Sequence, residues 1–520
     1  MTLKKHLFAA VVTTVAALAL TACGGSTGGQ SVSGPTGEPV TGGVGRLIQI
    51  AEPRSLDPAL IANSWANSPM LGNALYGTLM INDPATDKVE FRMAENFAST
   101  DGGKTFTLAL RQGLKFSDGS PFTAEAVKYN WEHVKNPATA SPDITQALLI
   151  ESATVVDDRT LRIVLVREVP RFANAILQTG LNWIASPTSL AGGQQAIDAD
   201  PIGAGPYLLE KWARQDVITL VRNPNYYDAP RPYLDRLEIR TIADRDQRYN
   251  TMVSGGADLS LESQWINLAK ADNDGLQHPE IQFGGGIGVV LNSRRAPFDD
   301  PRARKAVAAA IDLDILNDAS SEGTGQIPTH LFDSNSPFYQ DIPLMKRDPD
   351  LAQKLFDELA AEGKPVAFTL SVFQGDSQVI GESIQTQLRE FRNVKAEVKT
   401  VDLAQYGQIM RQRDYDTIPS SVVFGEPEPR LWFGFHGTSN GNVGGVNDAE
   451  LNAALDLGRT AETQDQRIAA YKTVQQRLVE LNPTLLYQRA AVGVLATSNV
   501  GGIQQYGLGS ALPETLWIQK

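Results

Sequence analysis

A single cysteine in 520 residues, Cys23, excludes an intrachain disulfide framework and a thiolate-rich zinc centre. Histidine is almost as scarce, and five scattered residues argue against a multi-histidine metal centre. Positive charge is also short: Lys plus Arg number 46 against 59 for Asp plus Glu, a net charge of −13. Such a chain lacks the cationic surface that phosphate neutralisation requires, so no nucleic-acid partner is expected. After residue 20 no apolar run approaches the roughly 18 residues that a membrane-spanning helix needs. What remains is ample for folding. Hydrophobic residues make up 42%, with 7 Trp, 13 Tyr and 18 Phe, which excludes wholesale disorder. The length predicts at least two folding units.

The N-terminus carries the first positive signal. Lys4 and Lys5 precede the apolar run Leu7 to Leu20, too short for a comfortable permanent span and patterned as a secretory signal. It ends in Leu20-Thr21-Ala22-Cys23, which resembles the lipobox of bacterial lipoproteins. In that group the cysteine is acylated and becomes the mature N-terminus. The resemblance implies a signal peptide over residues 1–22 and a lipid anchor, palmitate included, on Cys23. Residues 23–45 are rich in Gly, Ser, Thr and Pro and are expected to form a flexible tether. The implied location is the extracytoplasmic face of the cell membrane, in a periplasm or cell-wall space.

From Arg46 onward short strand-like runs alternate with amphipathic helices. Arg46 to Ile50, Phe106 to Leu110 and Leu161 to Val166 read as strands, the last pairing with Ala153 to Val156 across Asp157-Asp158-Arg159. Thr123 is placed to cap a helix carrying Val127, Trp131 and Val134 on one face. Asp300-Pro301 reads as a helix start, and Asp350 as the cap of a helix burying Leu351, Leu355 and Leu359. A last helix carries Ile468, Tyr471, Val474, Leu478 and Leu481 and stops before Pro483. The mixture predicts an α/β protein. The glycine-rich run 283–292 and the strand-rich stretch 485–496 are candidate crossing points between lobes.

Catalytic signatures fail one by one. Gly102-Gly103-Lys104-Thr105 lacks the earlier glycine of a phosphate loop, since Ala98 stands there, and reads as a polar turn. Gly284 to Gly288 misses the dinucleotide pattern, with Val289 in the sixth place from Gly284. There is no His-Glu-x-x-His and no Gly-x-Ser-x-Gly. Close acidic pairs such as Asp312 with Asp314 have no partner base. No enzymatic activity and no cofactor are expected.

Four segments together resemble the solute-binding lipoproteins of bacterial ABC importers, extracellular family 5, the peptide- and nickel-binding group. They are Leu110 to Glu125, containing Lys115-Phe116-Ser117-Asp118-Gly119; Gly203-Ala204-Gly205-Pro206-Tyr207 with Arg222-Asn223-Pro224-Asn225-Tyr226-Tyr227; Asn292 and Pro297 to Ala306 with Ala310-Ile311-Asp312; and Leu56-Asp57-Pro58. Arg302 and Arg304 in the third segment are expected on a helix, exposed or salt-bridged. The resemblance implies a two-lobed, periplasmic-binding-protein-like α/β fold (type II, cluster C) with two interlobe crossover segments. Residues 46–283 plus 487–520 would form lobe one and 284–486 lobe two, closing around a ligand. It also implies delivery to ABC permease subunits driven by cytoplasmic ATPases, with the binding protein itself a monomer.

The implied cargo is a short peptide or a similar polar small solute; nickel chelates, opines and glycosides are alternatives, as is a chemosensory or enzymatic use of the same scaffold. The resemblance points to two ligand-lining stretches, Asn63, Ser64 and Trp65 after Leu56-Asp57-Pro58, and Val423, Phe424, Gly425 and Glu426 with Trp432 beyond. Asp143 falls where a peptide-binding relative has an aromatic wall. Gly425 stands where oligopeptide binders hold the peptide amino terminus with an Asp, and strand alternation points the adjacent Glu426 to the other face. Ala62 likewise replaces an acidic residue. His436, in the loop-like Gly434 to Thr438, is the candidate contact for a metal complex.

Overall fold

The structure is a computed structural model that describes residues 32–64 and 69–520, without the side chains of Leu403 and Ala404. Cys23 and Trp65 lie outside the described residues. Within them the chain builds two sheet systems. The first has a seven-stranded sheet in the order Leu276–Gln277, Gly493–Thr497, Leu259–Glu262, Val44–Gln49, Arg236–Thr241, Val217–Arg222 and Tyr207–Ala213. Val44–Gln49 runs parallel to both its neighbours and the outer pairs are antiparallel. A four-stranded antiparallel sheet accompanies it, ordered Ala94–Ser99, Thr105–Leu110, Thr160–Leu165, Ile150–Asp157. The expected pairing across residues 157–159 is present and longer than read from the sequence.

Alternation decides which faces are covered. In Thr105–Leu110 the side chains of Phe106, Leu108 and Leu110 are buried while Thr107 faces water. Helix Ala124–Lys135 covers that face: Thr123 Oγ1 accepts from the Ala126 N–H, and Val127, Trp131 and Val134 point inward. Trp131 satisfies its indole N–H by donating to the Leu181 carbonyl at 2.9 Å. The C-terminal segment is part of this core, Tyr506 and Leu512 being fully buried in it.

The second system is a five-stranded sheet ordered Val394–Thr400, Val366–Val372, Thr417–Phe424, Gly284–Leu291, Thr484–Gln488. Gly284–Leu291 pairs antiparallel with Thr417–Phe424 along its whole length. The glycines there answer crowding: Gly285 has φ +72°, and a Cβ on it would collide with the Val422 carbonyl. Helices Pro301–Ala310, Pro349–Ala361 and Asp376–Leu388 pack on this sheet through Val307, Phe356, Ile384 and their neighbours. Asp300 caps the first as expected. The second begins two residues earlier than read: Asp348 accepts from the Leu351 N–H at 3.0 Å, Pro349 takes the first helical position, and Asp350 sits in the first turn. Arg304 also departs from expectation. It is 4% exposed, donating to the carbonyls of Phe298 and Leu481.

The chain passes between the systems twice, between Leu276–Gln277 and Gly284–Leu291 and again between Thr484–Gln488 and Gly493–Thr497. Arg489 occupies the second passage. Its guanidinium donates to carbonyls of His330 and Leu331 in the second system, and its own carbonyl accepts from Trp265 Nε1 in the first. Phe283, Val423, Val492 and Leu508 form one apolar cluster there, drawn from both passages and both sides. Among the described residues no helix is long and apolar enough to cross a membrane.

Candidate functional site

Strand Thr417–Phe424 ends between two cavities, and the residues lining each come from both sheet systems. The smaller, about 500 Å³, is lined by Ser64 and Leu508 from the first system and by Ser420, Val423, Arg430 and Phe433 from the second. Arg430 is the only charged residue among the described residues lining it. The larger, about 560 Å³, has Asp87 and Gln178 on the first-system wall, facing Phe338, Phe424, Gly425 and Glu426. The two cavities adjoin at consecutive residues, Val423 with Phe424 and Leu508 with Gly507.

The expected site residues divide among several roles. Ser64 and Val423 line the smaller cavity; Phe424, Gly425 and Glu426 line the larger. Asn63 lines neither. It is 4% exposed and its Nδ2 donates to the Leu177 carbonyl at 2.9 Å and to Tyr506 Oη at 3.2 Å, a brace behind the wall. Asp143 is likewise a wall support: Oδ2 accepts from the Gly180 N–H at 2.8 Å. Burial raises its carboxyl to about 6, with that hydrogen bond and Arg430 opposing. The alternation expected to turn Glu426 away from Gly425 does not apply, because the strand ladder ends at Phe424 and both residues follow it.

Trp432 sits apart from both cavities, on the short helix Arg430–Phe435. Its Nε1 donates to Asp456 Oδ1 at 2.8 Å, and its ring stacks on His436 with centroids 4.5 Å apart. The guanidinium carbons of Arg459 and, from the first system, Arg167 lie 3.9 and 4.4 Å from the ring centroid. His436 is therefore not an exposed loop residue. It caps the helix end and is 6% exposed. Asp87, Gln178 and Arg430 were not expected from the sequence. Arg430 follows directly on Glu428-Pro429, but Asp87 and Gln178 stand in turns with no local pattern.

Charge beside the larger cavity is paired with care. Glu426 is buried against Arg467, and Glu428 accepts from Arg459 Nε at 2.7 Å. Burial raises the Glu428 carboxyl even so, with Arg459 opposing. Arg171 of the first system reaches Glu426 Oε2 at 3.9 Å. Asp87 is raised to about 6, by burial first and by Glu426 second, while Asn82, Asn174 and Arg171 oppose. Among the described residues no cluster of three or more His, Cys, Asp or Glu could hold a metal ion.

Residues 88–442 match the bacterial extracellular solute-binding proteins, family 5. The chain belongs to that family. Curated relatives include the glutathione-binding protein GsiB of Salmonella typhimurium, 29% identical over 331 residues, which are 61% of this chain and 62% of the relative. GsiB of Shigella flexneri serotype 5b is 26% identical over 330 residues, with the same shares covered. The alignments thus span less than two thirds of these relatives. Among solved structures, AgaA of A. tumefaciens R10 with agropinic acid has a TM-score of 0.79 at 22% identity, covering 92% of this chain and 99% of that one. DppA of Helicobacter pylori with the peptide STSA has 0.79 at 20%, with the same coverage. The clavulanic acid biosynthesis oligopeptide binding protein 2 has 0.80 at 23%, covering 95% and 98%. These likenesses establish the fold: the α/β, two-lobed architecture of periplasmic binding proteins.

Proposed function

We propose that this family member captures a short peptide or a peptide-like polar solute in the two adjoining cavities and hands it, chemically unchanged, to an ABC permease. One observation carries this reading: each cavity takes its lining from both sheet systems, so a solute filling them touches both at once. Such a solute stabilises a closed arrangement through its differential affinity for it. The two passages, near Phe283 and Arg489, are the proposed hinge between a lobe of residues 46–283 plus 487–520 and a lobe of 284–486. In the smaller cavity Arg430 is suited to a carboxylate, and the Ser420 to Val423 edge offers polar groups beside an apolar wall. That relatives are named for glutathione and structural neighbours for peptides or an opine acid supports a solute carrying carboxylates. Acylation of Cys23 would hold the protein at the membrane. The expected 23–45 tether is shorter than read from the sequence: Val32 N–H donates to Asp272 Oδ1 at 3.2 Å, Gly42 N–H to the Tyr233 carbonyl at 2.8 Å, and Val44 already opens a strand of the seven-stranded sheet, so the described part of that segment is bound to the body.

A thermal-shift screen with di- to tetrapeptides, glutathione and opine acids tests the reading. A true solute at a hundredfold excess over Kd adds about 2.7 kcal/mol to stability. Small-angle scattering should record compaction with the same compound. No stabilisation by any of them, or turnover of the compound that binds, would contradict the proposal.

A further inference from the structure

We propose that Arg167 and Arg171 of the first sheet system form a latch that closes on Glu428 and Glu426 of the second when a solute is captured. The latch rests on the solute-capture reading above and regulates that same site. It places part of the affinity outside the solute's reach, since Arg167, Arg171 and Glu428 line neither cavity. The first-system half is held rigidly. Both arginines stand in the loop joining strand Thr160–Leu165 to helix Phe172–Leu177. The polar turn Gly102-Gly103-Lys104 pins that loop: the Leu165 N–H donates to the Lys104 carbonyl at 2.9 Å and the Val169 N–H to the Gly103 carbonyl at 3.0 Å. Gly103 has φ +88°, and a Cβ on it would strike the Pro170 backbone. Two guanidinium groups four residues apart are thus presented together.

The second-system half carries two carboxylates two residues apart, each with an arginine of its own. Glu426 pairs with Arg467 and Glu428 with Arg459, all four side chains buried. Facing them, Arg171 Nε lies 3.9 Å from Glu426 Oε2, within ion-pair reach but too far for a hydrogen bond. Arg167 covers the Trp432 ring together with Arg459. Burial pulls the Arg167 guanidinium below its ordinary value, as does Arg459, while Glu428 and Asp456 oppose. The contact is only half made. Arg167 Nε and Glu428 Oε2 are both buried, and neither has a hydrogen-bond partner among the described residues. A donor and an acceptor left unmet on facing sides are each costly, and native structures rarely keep them without a use. An approach of about 1 Å brings Arg171 to the length of a charge-assisted bond. A planar guanidinium stacked on an aromatic face keeps its edge donors free, so Arg167 can hold Trp432 and turn to Glu428 at once.

The test combines calorimetry on the full chain, with dipeptides, tripeptides, glutathione and opine acids, and small-angle scattering without any solute. Arg167→Met with Arg171→Met keeps the apolar stems and should weaken every binder by a similar factor, about tenfold, with the melting temperature of the unliganded protein nearly unchanged. Arg167→Lys with Arg171→Lys keeps the charges without the planar forks and should recover part of that loss. Arg167→Glu with Arg171→Glu sets like charges opposite Glu428 and Glu426 and should enlarge the radius of gyration of the unliganded protein. Unchanged affinity in the Met pair, or a Glu pair as compact as the parent, overturns the latch and leaves solute capture standing. Affinity lost only alongside a collapsed melting temperature also overturns it, because the arginines would then be structural. Failure of every compound to bind the parent, with an expanded Glu pair, overturns capture of these compounds while the contact between the two systems stands.

Discussion

At Gly425 the backbone leaves room that the sequence does not use. A Cβ there would meet nothing closer than Phe283 Cε1 at 3.4 Å, ordinary contact, and its φ lies outside the left-handed region. Gly425→Asp is therefore expected to fold with stability within about 0.5 kcal/mol of the parent and to tighten binding of solutes with a free amine. Thermal unfolding and calorimetry check the two halves; a large loss of stability would show that the space is not free. At Gly285 the outcome reverses. Gly285→Ala combines a positive φ with a collision against the Val422 carbonyl and should lose more than about 3 kcal/mol, read as a collapse of the melting temperature. Asp87 adds a pH signature. Its carboxyl rises from 3.8 to about 6 on folding, so the folded chain holds that proton more tightly than the unfolded one. Its contribution favours the fold below pH 3.8 and is lost as pH rises through 6. Asp87→Asn escapes that loss, and its stability relative to the parent should improve between pH 4 and 7.5 by at most about 3 kcal/mol. Urea unfolding at the two pH values measures it, and a constant difference would contradict the assignment.

Among the elements, what was legible is what local physics settles. Thr123 with Val127, Trp131 and Val134 announces its helix because a cap and a 3.6-residue period are written in adjacent positions. Alternation in Thr105–Leu110 likewise shows which face is covered. The start of Pro349–Ala361 is ambiguous in the sequence because Asp348 and Asp350 are equally good caps on paper, and Pro349 decides between them. The burial of Arg304 and His436 has no local signal for another reason: the Leu481 carbonyl and the ring of Trp432 reach them from distant or folded-back chain. The helix Arg430–Phe435 carries the plainest element-level test. Trp432 receives Arg167 from one lobe and Arg459 from its own. Trp432→Ala should remove about 0.5–2 kcal/mol of cation–π attraction from the closed arrangement and weaken solute binding two- to thirtyfold, although Trp432 lines neither cavity. Calorimetry beside small-angle scattering would show a looser unliganded form; unchanged affinity would mean that closure does not draw on this contact.

For the molecule as a whole, order and spacing of motifs made the family legible, while the cavity floor was not. Asp87 and Gln178 face Phe424 and Gly425, and Arg430 shares a cavity with Ser64 and Leu508, only because two sheet systems are brought face to face, and no periodicity records such a meeting. The account stands or falls on capture without chemistry. Native mass spectrometry of the protein incubated with mixed short peptides and opine acids tests this directly. It should show a one-to-one complex that releases a compound of unaltered mass. An unloaded protein at every concentration, or released fragments lighter than what was supplied, would contradict it.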